Sequence, residues 1–363
     1  MEPKKTNQEL NEPYDNRKQI RLYASLETET EVGQNLPLLD KKDINKLSDS
    51  DSIKQEISFC QTLKDIIYSL KMSLPSCFSI GDYMIVVLII KSLTAYTMDL
   101  ELTTSTGYLT TYYNVLLFAV GGGLNDSIGI YCAQAWGSKK PGDLNKMYLM
   151  YKQSILIIIV YFLVIITPLA FFFESFLYNI VGANPRVAEV SQKLVIYCLP
   201  ALFIRSLTDL FKSYANAQEI IQELGYFTLI NLAIVPFYSY LFINKLNLGS
   251  LAYGLCLFTY ECGNIIIAVV VSKYYMIAEC KTTTISISHK FGWFLCESAK
   301  NSATVLHIFL AYESVTLIIS QLHNDAQLGA YTILVTLGEA IRLIAKGFSI
   351  YGRTEVNKFI GKD

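Results

Sequence analysis

Residues 108–137 read YLTTYYNVLLFAVGGGLNDSIGIYCAQAWG, and the fold follows from where such a stretch can be placed. It starts apolar, passes through Gly121-Gly122-Gly123, and continues with small and weakly polar residues to Gln134 and Gly137, where Ser138-Lys139-Lys140 follows. At about 1.5 Å per residue, a helix of this length crosses a bilayer and emerges beyond it. Its second half cannot face lipid, because Asn125, Asp126 and Gln134 would each lie unpaired in hydrocarbon. The stretch is expected to be a helix inside a bundle, beside a cavity. Gly121, Gly122 and Gly123 are candidates for a helix hinge; the competing reading is that they let neighbouring helices approach closely.

The rest of the chain supports a membrane bundle. Of 363 residues, 52% are hydrophobic and only 17% charged, with a mean hydropathy of +0.35, against about 25% charged in an ordinary soluble domain. The formal net charge of −1 gives no reason to expect nucleic acid as a partner. Ten of the thirty Lys and Arg lie in the first 69 residues, and apolar runs fill the remainder. The expected class is an all-α polytopic membrane protein embedded in a lipid bilayer.

Eight spans are expected, at about residues 70–93, 108–131, 154–173, 194–210, 227–243, 251–271, 302–322 and 328–350. Lys and Arg are richest in the N-terminal tail, in the segment with Lys139, Lys140, Lys146 and Lys152, in the segment with Lys273, Lys281, Lys290 and Lys300, and at the C-terminus. By the positive-inside rule both termini are then cytoplasmic. Residues 1–52 are too polar for a core and are expected to be a disordered cytoplasmic tail. Residues 53–69 carry an amphipathic stripe (Ile53, Ile57, Cys60, Leu63, Ile67) flanked by Lys54 and Lys64, as in an interfacial helix. Residues 70–275 are expected to form a six-helix N-lobe, 276–300 a cytoplasmic linker, and 301–363 two helices of a partial C-lobe.

An internal repeat underlies that division. A shift of about 224 residues places Gly123 on Gly347 and Gly137 on Gly361 without a gap. In both segments a spanning helix has a glycine in its latter half, then polar residues, then Gly beside Lys. Tandem repeats around a central site are a common plan in secondary transporters.

Cys132-Ala133-Gln134-Ala135-Trp136-Gly137-Ser138-Lys139 resembles the signature ending the second helix of the multidrug and toxic compound extrusion (MATE) transporters. Leu70–Pro75, Ile180–Pro185, Pro200-Ala201-Leu202-Phe203, Ala215–Gln218, Asn231, Gly249, Gly254, Asn264, Leu328-Gly329-Ala330 and Gly347-Phe348-Ser349 are similar to further motifs of that family, in order. The resemblance covers about residues 70–363. It implies an antiporter that exports organic cations, drugs or other xenobiotics by alternating access, in exchange for H⁺ or Na⁺. It also implies twelve helices in two lobes. Since this sequence carries a first lobe and two helices of the second, the expectation is either a chain truncated after the eighth helix or a shortened variant that associates with itself or another chain. The alternative from a different class is a non-transporting membrane partner or scaffold built on a degenerate transporter lobe.

A proton-coupled exporter of cations needs a carboxylate facing the cavity, poised by burial to exchange a proton for substrate. Glu313, mid-span in the seventh helix, is the first candidate, and Ala311-Tyr312-Glu313 is similar to a glutamate motif of eukaryotic members; a salt bridge to Arg342 or Lys346 is the competing reading. Glu261 in the sixth helix has no local basic partner. Glu339 stands three residues before Arg342, an intrahelical pairing distance, while the glutamate expected of the family's eighth helix falls on Thr336. Asp82 does not match the family's first-helix aspartate, which falls near Ile90-Lys91; Lys91 is expected to snorkel to the surface. Gln134, Asn231 and Tyr312 complete the candidate coupling or substrate pathway, with Tyr112, Tyr113 and Tyr260 as rings able to stack on a planar cation or to belong to interfacial belts.

Enzyme chemistry finds no footing. Eight cysteines form no Cys-x-x-Cys pair, three histidines show no metal-ligand spacing, and Gly121-Gly122-Gly123 lacks the Gly-Lys-Ser/Thr continuation that cradles phosphate. No cofactor is implied.

Overall fold

The computed structural model describes residues 59–97, 99–277, 280, 285–320 and 325–362. The chain divides into two units, Met1–Lys64 and Asp65–Asp363, and the architecture below is that of the second. The polar tail at 1–52 and the first part of the expected interfacial helix lie outside the described residues. From Phe59 the backbone is helical and continuous with the first span.

Among the described residues eight long helices follow one another. They are α1 (Phe59–Tyr96), α2 (Leu100–Ser138), α3 (Gly142–Phe171), α4 (Pro185–Ala217), α5 (Ile221–Lys245), α6 (Ser250–Tyr274), α7 (Phe291–Ser320) and α8 (Asp325–Lys362). Each contains the core of one expected span. By length and apolar composition α2–α6 qualify as membrane-crossing, and α1 makes a sixth if its parts Ser73–Ser79 and Gly81–Tyr96, bent by 50°, are taken as one span. The bend falls at Ser79-Ile80-Gly81, where a serine and a glycine flank the break. In α8 the apolar part is only Gly329–Gly338, after which charged residues recur.

Two expected boundaries move. The segment 94–107, expected as the loop between the first two spans, is helical from Leu100 onward. Asp99 caps that helix by accepting from the Leu102 amide at 2.9 Å. The hydroxyls of Thr103, Thr106 and Thr110 bond to carbonyls three or four residues back (2.7, 2.7 and 2.9 Å), so the turn satisfies its own polar groups. Similarly α7 begins at Phe291, inside the stretch read as linker. Gln153 of α3 donates to the carbonyls of Ile287 and His289 (2.8 and 2.9 Å), tying down the approach to α7.

Helix α2 occupies the interior, as the polarity of its second half required, packed against α4, α7 and α8. Its glycines show how. Gly123 lies against the backbone of Ser302 on α7, and Gly122 against Val305. At one end of the crossing with α8, Gly137 abuts the carbonyl of Lys358 while Gly361 abuts the carbonyl of Gln134. Under the 224-residue shift these last two contacts are the same contact with the partners exchanged. The other repeat pair behaves alike, for Gly123 meets Ser302 within α7 and Gly347 meets Cys77 in α1. Such reciprocity is what a local two-fold axis between α2 and α8 produces. The triplet Gly121–Gly123 itself is regular α-helix; the helix departs from α geometry just before it, in a π-helical segment at Tyr113–Phe118.

A methyl group at Gly361 would overlap the Gln134 backbone, whereas Gly352, one helical face away, has nothing within 4 Å. Gly361→Ala is expected to cost about 1–3 kcal/mol through overpacking, and Gly352→Ala to stabilise by about 0.5–1 kcal/mol through helix propensity. Thermal unfolding of the two variants in detergent should move in opposite directions.

Candidate functional site

Three helices converge on a buried ionic network. Asp82 of α1 is wholly buried. One carboxylate oxygen accepts from Arg205 Nη1 at 3.0 Å, and the other from Lys212 Nζ and the Tyr260 hydroxyl, each at 2.5 Å. Arg205, 2% exposed, also reaches Asp209 through Nη2 at 2.8 Å, stands 3.6 Å from Glu261 Oε1, and lies over the Tyr83 ring at 5.1 Å. Glu261 Oε2 accepts from Thr208 at 3.2 Å and from Asn264 at 3.0 Å. Asn231 of α5 extends the network, donating to Asn264 Oδ1 at 3.1 Å and to the Tyr260 carbonyl at 3.0 Å. The helical period explains the convergence, because positions 205, 209 and 212 share one face of α4. Buried charges are tolerated when paired and hydrogen-bonded; the network meets this for Asp82 and leaves Arg205 Nε and Glu261 Oε1 without a hydrogen bond among the described residues.

A second polar centre lies between α2 and α7. Glu313, 6% exposed, accepts from the Thr111 hydroxyl at 2.6 Å, from Asn114 Nδ2 at 2.7 Å and from Thr316 at 3.4 Å. Lys91 of α1 stands within electrostatic range of this carboxylate. The expectation that Lys91 snorkels outward is corrected here. It is 1% exposed and donates to Thr336 Oγ1 at 3.0 Å, because an acceptor on α8 and a carboxylate on α7 offer its ammonium partners inside the bundle. Lys91, beside which the first-helix aspartate of the resembled family would fall, and Thr336, on which its eighth-helix glutamate would fall, thus bond to each other.

Below the glycines a cavity of 410 Å³ opens between α2, α4, α7 and α8. Phe118, Val305, Ile308, Phe309 and Ile350 form its apolar wall, and Asn125, Asp126, Asp209, Lys212 and Arg353 its polar one. Across it Asp126 of α2 pairs with Arg353 of α8 at 2.8 Å, both about one-third exposed.

The candidates therefore separate. Glu261 and Asn231 belong to the ionic network and Glu313 to the second centre. Gln134 sits where α2 crosses α8, donating to Asn357 Oδ1 at 3.0 Å. Tyr312 points away from its neighbour Glu313 and is 51% exposed, since adjacent helical residues differ by about 100° in direction. The side chains of Glu339, Arg342 and Lys346 lie outside the described residues. Tyr112 and Tyr260 are spent on internal hydrogen bonds, to the Ile166 carbonyl and to Asp82, and Tyr113 packs on Tyr83 at 4.6 Å. Asp82, Arg205 and Lys212 were not anticipated as one site. Arg205 and Lys212, near the end of one expected span, are both buried. The visible signal was ionisable residues recurring at helical spacing within α4.

Residues 75–241 match the model of the MatE family. The matched stretch, just under half of the chain, is similar to that family. Solved structures add a likeness of fold. The crystal structure of the eukaryotic MATE transporter AtDTX14 superposes with a TM-score of 0.61 at 18% identity, over 81% of this chain and 68% of that one. An aspartate-to-asparagine mutant of the Vibrio cholerae MATE transporter VcmN gives 0.65 at 14% identity, over 82% and 67%. A MOP superfamily transporter from Pyrococcus furiosus, described as having a binding pocket of reverse polarity, gives 0.53 at 11% identity, over 81% and 68%. The chain thus spans about two thirds of the length of these structures, and at such identities the likeness is one of fold. No curated protein matches the sequence. The likeness of fold and the helices long and apolar enough to cross a membrane, five or six among the described residues, point to an integral, multi-pass membrane protein.

Arg205 serves three carboxylates, so removing it strands buried negative charge. Arg205→Met is expected to cost about 3–5 kcal/mol. Glu261→Gln retains a polar side chain and removes one negative charge, and should cost about 1 kcal/mol or less. Unfolding followed by tryptophan fluorescence would rank the two.

Proposed function

We propose that this protein is a secondary active antiporter that exports organic cations or drug-like molecules in exchange for H⁺ or Na⁺, by alternating access through the cavity between α2, α4, α7 and α8. The observation that carries the reading is Glu313. Its two oxygens accept from the neutral donors Thr111, Asn114 and Thr316 and Lys91 acts on it only through space, so the carboxylate can take up a proton or a cation without breaking a hydrogen bond to a charged partner. That is the requirement for a group that exchanges one for the other. The cavity supports it with apolar walls for a hydrophobic substrate and ionic groups for a charged one. On this reading residues 70–275 are a six-helix lobe, 301–363 open a second, both termini are cytoplasmic, and Gly121–Gly123 and the neighbouring π-helical segment are where α2 adjusts. The pathway is completed by a further lobe, from this chain, a second copy or another protein.

A second reading has its own observation. The Asp82–Arg205–Lys212 network pins α1, α4 and α6 with buried ion pairs, as a rigid membrane scaffold or partner subunit would.

The two are separated by loading proteoliposomes with a fluorescent organic cation and imposing a pH or Na⁺ gradient. Transport predicts gradient-driven efflux that Glu313→Gln lowers at least about tenfold, the scale of losing one essential group. Glu313→Asp should retain part of it, and Glu355→Gln, on an exposed face of α8, should leave it unchanged. Efflux that is absent both from the unaltered protein alone and from the protein purified from native membranes with whatever chains accompany it would reject the antiporter and leave the scaffold.

A further inference from the structure

We propose that Asp82 and Tyr260 form a binding site for a primary ammonium group, which Lys212 fills from within the chain and which a cationic ligand in the central cavity takes over. The inference builds on the transport reading for its use, but its test reads binding alone, so the two fail separately.

Arg205 and Lys212 both bond Asp82 but are held very differently. The guanidinium is fixed by Asp82, Asp209, Glu261 and the Tyr83 ring. The ammonium of Lys212 hydrogen-bonds Asp82 alone among the described residues, although it carries three donors. It ends a flexible four-carbon stem, and Lys212 and Asp209 both line the cavity. The Asp82 oxygen is therefore one side-chain movement from that space.

The network is also short of positive charge. Asp82, Asp209 and Glu261 face Arg205 and Lys212, three carboxylates to two cations, and Glu261 Oε1, in a residue 1% exposed, accepts no hydrogen bond. Such a site attracts a cation rather than an anion. It also selects among cations. Every partner of Asp82 is an N–H or O–H donor, which a primary ammonium reproduces and a quaternary ammonium cannot. The apolar wall of Val305, Ile308 and Phe309 would take the body of the ligand.

The test is rescue of a vacated site, using the full chain in lipid nanodiscs with ethylammonium chloride as the probe. Lys212→Ala should unfold at a lower temperature than the unaltered protein in NaCl. Ethylammonium at about ten times its dissociation constant should raise that temperature by about 3 °C, and should move the unaltered protein much less, because Lys212 competes. Tetramethylammonium at the same concentration should do nothing. Asp82→Asn/Lys212→Met, which removes both charges, should ignore all three salts. If Lys212→Ala is not recovered in NaCl, preparation in ethylammonium should recover it. The proposal is overturned if ethylammonium neither stabilises nor recovers Lys212→Ala, if NaCl or tetramethylammonium does so equally, or if the double variant responds as strongly.

Discussion

Backbone contact between α2 and α8 is the constraint on which the rest depends. Within a bilayer, burying apolar side chains gives helices little reason to associate, since lipid is as apolar as leucine, and close packing has to supply the attraction. Here it comes from glycines placed so that each helix meets a carbonyl of the other, Gly137 on Lys358 and Gly361 on Gln134. Once the two helices touch there, α7 is drawn onto the middle of α2, where Gly123 receives Ser302, and α1 onto α8, where Gly347 receives Cys77. The cavity is what remains where side chains with volume, among them Phe118 and Phe309, hold the same helices apart.

Charge then divides the bundle into two unlike halves. Around Asp82, acids and bases from α1, α4 and α6 pair with one another at 2.5–3.6 Å. Ion pairs of this sort add little net stability, because desolvation offsets their attraction, but they penalise any arrangement that separates them. Around Glu313 the donors are neutral, so changing the state of that carboxylate does not strand an opposite charge hydrogen-bonded to it. The first half holds its helices through paired charges, with Lys212 as its one loosely held member, and the second holds its carboxylate through neutral donors.

Much of this could be read from the residues, for reasons that also explain what could not. The interior position of α2 was legible because Asn125, Asp126 and Gln134 exclude lipid whatever surrounds them. The repeat was legible because glycines required for contact recur at a fixed interval. Glu313 stood out as a lone acid in an apolar run. The ionic network was opaque because its members are scattered, with Asp82 and Arg205 123 residues apart, and one-dimensional spacing does not say which buried charge meets which. Lys91 was misjudged for the same reason, since its acceptor Thr336 is 245 residues away. The early start of α2 was missed because threonines that look like loop residues can return their hydroxyls to the helix backbone.

The π-helical segment at Tyr113–Phe118 sets the phase of everything after it. A π turn accommodates one more residue than an α turn, so the side chains beyond it are rotated by roughly one residue's angle, about 100°, from where an unbroken helix would aim them. Thr111 and Asn114, which grip Glu313, lie before or at the start of this insertion; Asn125, Asp126 and the crossing at Gln134 lie after it. The upper and lower parts of α2 are in effect two screws joined by a washer. Their relative orientation is stored in a few backbone hydrogen bonds rather than in any side chain, and moving that extra residue along the helix would re-aim one end at its neighbours while the other kept its grip.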